Sequence, residues 1–278
     1  MAPQVFLTRR SGVVMNLITS RDNPLVKELR RLSQDSTSYR KTGRVWLEGD
    51  HLCRALLTRG LVPEQAVFAQ SAWENAPTLL TQAAPKNTVL PDALFREISG
   101  LESASTMGFV WTVSSSIDKD IGHDIHLGVP TVFLDQIQDA GNVGSILRSA
   151  SAFGFTQVLA RKGTAALWSP KVLRAAMGAH FGLHLVEGVG PEQLADLQIA
   201  WLSTSSHQGP FLHTLGAKNA LPMPCGWIFG HEGQGVSPEV SQLAQMTVRI
   251  AQPGGEESLN VASAAAICMH ATAALGQA

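Results

Sequence analysis

Charge is scarce in this chain. Only 15% of its 278 residues are Asp, Glu, Lys or Arg and the net is −1, so a general nucleic-acid coat protein is excluded. With 45% hydrophobic residues, the chain has the material for a substantial globular core, and disorder is expected only at the ends. The three cysteines, Cys53, Cys225 and Cys268, are widely spaced and odd in number, which excludes a disulfide framework or a zinc knuckle. No apolar run reaches the roughly 20 residues that a bilayer demands, and MAPQVFLTRRSGVVMNLITS contains no signal-length apolar core. The expectation is a soluble, cytoplasmic protein with no membrane partner.

Familiar site signatures are missing too. The stretch LDQIQDAGNVGSILRSASAFGF, residues 134–155, has the strand, glycine loop and helix of a nucleotide cradle. Its Gly141 and Gly144 nevertheless fit neither G-x-G-x-x-G nor a phosphate loop, and the lysine of the latter is missing. In GHEGQG, Gly235 stands where H-E-x-x-H needs its second histidine, so no metal is expected. Ser258 lies outside any G-x-S-x-G context, which argues against a hydrolase nucleophile.

What is present divides near residues 115–128. We read 1–14 as an N-terminal tail and 15–114 as a small α/β unit. In that unit RVWLEG, QAVFAQ and TMGFVWTV are strands, DHLCRALLTRG is a helix closed by Gly60, and a second helix runs from Trp73 to Gln82. Residues 115–128 read as a polar linker. From 129 to 278 the runs TVFLD, TQVLA, LHLVEG, IAWLSTS, GWIFG and TVRIAQ alternate with helical patterns, which implies a parallel sheet covered on both faces. Charge is unevenly shared: residues 1–60 hold 11 Lys or Arg against 5 Asp or Glu, whereas 121–278 hold 7 against 10. The basic stretch from Lys27 to Arg44 is either a phosphate-contacting surface or a solvated helix face.

In parallel sheets, ligands sit beyond the carboxyl ends of the strands. Three loops there combine glycines with isolated polar groups. A helix starting just after Asn142 places Asn142, Ser145, Arg148 and Ala152 on one stripe and turns Ile146, Leu147, Ala150 and Phe153 inward. Asn142 then reads as an N-cap or a ligand-facing group, and Arg148 as a surface charge or a functional cation. Glu232 sits in a glycine-rich turn between Gly230 and Gly233. The third loop, with Gly254, Gly255 and two acids, leads to Ser258, a candidate N-cap for an alanine-rich helix that is apolar nearly all round.

Together these loops resemble the three motifs of the SpoU/TrmH family of RNA ribose 2′-O-methyltransferases, of the SPOUT class. DQIQDAGNVGSILRSASAFG resembles the first motif, IFGHEGQGVSP the second and IAQPGGEESLNVASAAA the third, in order, across about residues 131–273. SRDNPLVKELRRL and WLEGDHLCRALLTRG are similar to the substrate-binding domain, related to ribosomal protein L30e, that precedes many such enzymes. Thr106-Met107-Gly108 departs from the Pro-Gln-Gly turn that often ends that domain. The resemblance implies an α/β fold: a SPOUT-type parallel sheet with a C-terminal trefoil knot, preceded by a small L30e-like RNA-binding domain. Connection rules alone argue against a knot. It also implies a homodimer that binds S-adenosyl-L-methionine and needs no metal. By position Gly230, Ile250 and Leu259 match residues whose backbones hold the cofactor, with Thr204 a further candidate. Asn142, Arg148, Glu232, Ser258 and Asn260 match catalytic and substrate-binding positions.

Transfer to a ribose 2′-hydroxyl requires in-line placement and loss of the hydroxyl proton. A guanidinium is a poor base, so Arg148 is expected to stabilise the developing alkoxide and adjacent phosphate, with proton loss assisted by phosphate or water. Asn142 would orient ribose or arginine, Glu232 would fix Arg148 or the RNA, and Ser258 and Asn260 would complete the pocket. The added front domain favours ribosomal RNA over the alternative, transfer RNA. Two other classes stand beside this reading: a noncatalytic ribosome- or RNA-binding protein, which the full set of polar residues disfavours, and a Rossmann-type nucleotide enzyme, which the glycine spacing disfavours.

Overall fold

The computed structural model describes residues 6–10, 13–101, 105–113, 125–254 and 258–275. Most of the expected linker and the Gly255-Glu256-Glu257 part of the third loop lie outside them. The chain forms two compact units, one of residues 1–114 with 168–181, the other of 115–167 with 182–278.

The first unit is built on a mixed sheet. Its strands β1 (Phe6–Arg10), β2 (Val13–Leu17), β3 (Arg44–Glu48), β4 (Gln65–Ala69), β5 (Asn87–Leu90) and β6 (Met107–Thr112) lie in the order β1-β2-β5-β4-β6-β3. The stretch expected as a tail therefore contains β1, paired antiparallel with β2. Helix Pro24–Gln34 starts where the Asn23 side chain accepts the Leu25 N–H at 2.9 Å, with proline in its first turn. Val26, Leu29 and Leu32, spaced by three, pack into a core with Trp46, Val67 and Phe95. Lys27 and Arg31 consequently face solvent. The single helix expected over Trp73–Gln82 is two short ones, Gln70–Trp73 and Thr78–Thr81. Pro77 lies between them; it lacks an N–H and biases Ala76 away from helical backbone.

Residues 168–181 belong to this unit because of their apolar groups. Helix Pro170–Ala176 buries Val172, Leu173 and Ala176, while Trp168 and Phe181 each lie 5.6 Å, centroid to centroid, from Trp111. A division made by sequence order alone misses this segment, which falls between two strands of the other sheet.

The second unit holds a parallel sheet. Strands β7 (Thr131–Asp135), β8 (Gln157–Ala160), β9 (His184–Glu187), β10 (Ala200–Thr204), β11 (Cys225–Gly230) and β12 (Met246–Val248) follow the order β12-β10-β11-β7-β8-β9. β7, β8 and β11 are buried along their whole length, as their near-continuous apolar sequence requires. β12 is shorter than TVRIAQ suggested, so Ile250 to Gln252 leave the sheet. The last helix, Val261–Leu275, packs on helix Ala140–Ala152 and on β11, and Trp227 Nε1 donates to Thr272 Oγ1 at 2.9 Å. Its buried residues include Ala265, Cys268 and Met269, whereas Ile267 remains 42% exposed. Among the described residues no helix is long and apolar enough to cross a membrane.

Candidate active site

The three loops meet at the carboxyl ends of β7 and β11, which pair so that Gly230 lies opposite Asp135. Helix Ala140–Ala152 begins earlier than expected. Its cap is Asp139, whose Oδ1 accepts the Asn142 N–H at 2.7 Å, so Asn142 is not the cap and lies within the first helical turn. That leaves the Asn142 carboxamide free to bond across loops. Its Nδ2 donates to Glu232 Oε1 at 3.1 Å, and its Oδ1 accepts from Asn260 Nδ2 at 2.9 Å. Asn260 in turn accepts the N–H groups of Ala262 and Ser263 on Oδ1, at 2.9 and 3.2 Å. Asn260, rather than Ser258, therefore caps the last helix.

Glu232 is more than a turn acid. It reaches out of its own loop to accept the main-chain N–H groups of Gln138 on Oε2, at 3.3 Å, and Asp139 on Oε1, at 3.1 Å. Partial burial acts to raise its pKa. Hydrogen bonds from Asn142 and from the backbone of Glu232, Asp139 and Gln138 outweigh that, holding the carboxyl below its ordinary value of 4.5. His231 is engaged locally, its Nδ1 accepting the Gly233 N–H at 3.0 Å.

Beside this chain of side chains lies a cleft of about 560 Å³, a volume in the range of small-molecule sites. Thr204, Gly230, Ile250 and Leu259 all line it, as do Glu232, Ser258 and Asn260. The early end of β12 is what delivers Ile250 there. Gly230 is required for a close approach: a Cβ on it would lie 2.2 Å from the backbone of Gly235 and Val236. Ser258 is exposed on the cleft wall and takes no part in the Asn260–Asn142–Glu232 chain. Arg148 is set apart. It is exposed on the helix that carries Asn142, about 9 Å further along the axis at 1.5 Å per residue, and has no hydrogen-bond or ion-pair partner among the described residues.

Sequence reasoning missed several participants. Ser205, His207 and Gln252 line the cleft, and Gln252 Oε1 is buried without a hydrogen-bond partner among the described residues. Asp135, Arg161 and Ser237 form a polar cluster at the root of the loops. No motif flagged Gln252 or Arg161; a buried acid ending an apolar strand was the available signal for Asp135.

Cleft, loops and sheet define a class. Residues 130–270 match the model of the SpoU rRNA Methylase family, and the chain belongs to that family. It is 30% identical to an uncharacterized tRNA/rRNA methyltransferase from Synechocystis sp., over 91% of this chain and 92% of the relative. It is 26% identical to a 23S rRNA (guanosine(2553)-2′-O)-methyltransferase from Bacillus subtilis, over 92% and 98% respectively. Its fold is that of the SpoU methyltransferase AviRb from Streptomyces viridochromogenes, solved in complex with AdoMet (TM-score 0.78, 20% identity, covering 92% of this chain and 99% of the other). An AdoMet-bound rRNA methyltransferase from Sinorhizobium meliloti is similar, with TM-score 0.75, 23% identity and coverage of 92% and 96%. The protein is an RNA methyltransferase.

Proposed function

We propose that the protein methylates a ribose 2′-hydroxyl of ribosomal RNA with S-adenosyl-L-methionine held in the cleft between the second and third loops. The observation that carries this reading is the hydrogen-bonded chain Asn260–Asn142–Glu232, which joins all three loops at the cleft rim. The residues present fit the cofactor. Apolar Ile250, Leu259 and Val261 suit an adenine face, the Ser205 and His207 side chains suit the amino-acid and ribose groups, and Gln252 brings a buried acceptor with no partner among the described residues. When bound, the cofactor supplies an electrophilic methyl group on a sulfonium.

The chain's own residues then have three tasks. Gly230, Ile250 and Leu259 bind through their backbones, with Thr204 beside them. Asn142 and Asn260, each oriented by a partner, hold the ribose so that its oxygen approaches in line. Glu232 holds Asn142 and the start of its helix. Arg148, exposed and without a partner among the described residues, meets the phosphate and the oxygen as negative charge develops there, and phosphate or water takes the proton. Ser258 contributes to the ribose-facing wall.

Residues 15–114 act as an L30e-like RNA-binding domain, and a cytoplasmic homodimer brings a second chain to complete each site. The C-terminal segment passes through a trefoil knot. The post-β10 connection lies against the residue that follows β12, a contact the knot requires: the Leu212 N–H donates to Arg249 O and the Arg249 N–H to Pro210 O, at 2.8 and 2.9 Å.

Ribosomal RNA is favoured over transfer RNA by the Bacillus subtilis relative, matched over nearly its whole length. The test supplies methyl-labelled cofactor with ribosomal and transfer RNA and maps the label after alkaline hydrolysis, because a 2′-O-methyl blocks cleavage at its linkage. One alkali-resistant position in ribosomal RNA is expected. Label in transfer RNA alone, or on a base, overturns the proposal.

A further inference from the structure

We infer that Asp135 and Arg161 form a clamp that positions Glu232 for methyl transfer, acting on it through the second loop. The inference rests on the methyl-transfer reading above and adds two residues to it.

Asp135 is the last residue of β7 and is 1% exposed. Its Oδ1 accepts from Arg161 Nη1 at 3.0 Å, and its Oδ2 accepts the Ser237 N–H at 2.7 Å. The same Arg161 nitrogen donates to Ser237 Oγ at 3.0 Å, while Nη2 pairs with Glu239. Arg161 is itself anchored, its N–H donating to Leu134 O at 3.0 Å. A planar guanidinium can engage three acceptors on two segments, Asp135 on one and Ser237 and Glu239 on the other; a lysine, as a point charge on a flexible stem, cannot reproduce that fork.

The placement gives the clamp its effect. Asp135 is the root of both loops that Glu232 and Asn142 join. The first loop departs from it through Gln136, held at φ 62°, and delivers the Gln138 and Asp139 N–H groups. The second loop departs from Gly230, its register partner, closes on itself where the Gly235 N–H donates to His231 O at 2.8 Å, and returns to Asp135 at Ser237. Glu232 lies between these two fixed points on an otherwise exposed turn. Releasing the Ser237 end removes the polar anchor of that turn and leaves its far side held only by the packing of Val236 and Val240, so Glu232 loses its alignment with Asn142 without any direct contact to it being altered.

Removing Arg161 alone strands a buried carboxylate, and such a variant is prone to unfold for that reason. The apolar pair Asp135→Leu with Arg161→Met avoids this and leaves the Ser237 N–H without its acceptor. Expected are cooperative thermal unfolding, cofactor Kd and RNA KM within about threefold of wild type, and kcat lower by about tenfold or more. Main-chain hydrogen exchange over residues 136–142, which contain no substituted position, should be about tenfold faster. Arg161→Lys should fall between, with kcat lowered about threefold. If the double variant does not unfold cooperatively, Ser237→Pro carries the test: the backbone there (φ −62°, ψ 150°) suits proline, the N–H that Asp135 accepts is removed, and kcat should fall about threefold or more at unchanged cofactor Kd. Wild-type kcat and exchange in the double variant, or in Ser237→Pro where that stands in for it, overturn the clamp, as does a loss confined to cofactor Kd. If the wild-type protein transfers no methyl group to RNA, the reading above falls, and the exchange measurement still decides the clamp.

Discussion

Arg148 and Glu232 are both charged residues of the site, yet they stand in opposite circumstances. Arg148 is exposed and has no partner among the described residues, so its proposed function is expected to appear only when charge develops on substrate. Arg148→Ala should leave S-adenosyl-L-methionine affinity, measured by calorimetry, nearly unchanged and lower turnover by roughly a hundredfold or more. Arg148→Lys keeps the charge, loses the fork and should recover little. An alanine variant at wild-type rate would identify Arg148 as a mere surface charge. Glu232 is already satisfied, by Asn142 and two helix-entry N–H groups. Because its folded pKa lies below 4.5, its contribution to stability is present above that value and is lost as pH falls through the depressed folded pKa. Thermal unfolding should therefore separate wild type from Glu232→Gln at about pH 6, and the gap should close as the pH is lowered through the acid range. A gap that widens on acidification contradicts this assignment. That these residues are candidates was legible from the loop composition; that Asn142 bonds to both Glu232 and Asn260 was not, since they are 90 and 118 positions away.

Element ends are where the helices and the site share residues. Asn260 both caps the last helix and donates to Asn142. Asn260→Asp keeps the acceptor that caps but removes the donor, placing a carboxylate oxygen against Asn142 Oδ1. It should unfold near the wild-type temperature, whereas Asn260→Ala should lose the ~1 kcal/mol of a typical cap, and both should lower kcat about tenfold or more. An active aspartate variant would reduce Asn260 to a cap. Gly230→Ala puts a methyl group 2.2 Å from two backbone atoms of the second loop. Since the clash is with main chain, the loop must open, and both melting temperature and cofactor affinity should fall. Helix starts were misjudged by a few residues because Asp139, Asn142, Ser258 and Asn260 all have cap-competent side chains, and only the three-dimensional path selects among them.

Across the whole molecule, the basic segment resolves into two kinds of residue. Lys27, Arg30 and Arg44 each lie within an ion pair, with Asp22 at 3.0 Å, Glu97 at 3.1 Å and Glu28 at 2.6 Å. Arg31 and Lys41 are exposed and pair with no acid among the described residues. In the full-length chain, replacing Arg31 and Lys41 with Gln should flatten the log–log salt dependence of RNA binding by about 0.7 to 0.9 per contact, with cofactor affinity unaltered. The same change at Arg30 or Arg44 should flatten it less, because each phosphate contact there first displaces a carboxylate. Equal slopes for all four would show that ion pairing does not grade them. Removing residues 1–128 is a poor test of the front unit, since it uncovers the Trp168–Phe181 segment that packs with it. Sedimentation of the full chain should report about twice 29.7 kDa, and an active monomer would rule out the proposed dimer.

The sequence alone determined the alternation of strands and helices in the second unit, because fully buried strands need apolar runs and the loops between them need glycine and polar residues. It also supplied the candidate side chains of the proposed site, since carboxamide, carboxylate and guanidinium groups can orient a hydroxyl and meet developing negative charge. Strand order was beyond it, as was the assignment of residues 168–181 to the front unit, because those depend on which apolar faces find each other. Tertiary structure likewise decided that Asp135, Arg161 and Ser237 meet. A buried carboxylate tolerates no vacancy in its hydrogen bonding, and its partners come from wherever the fold brings a donor, at 26 and 102 positions' remove.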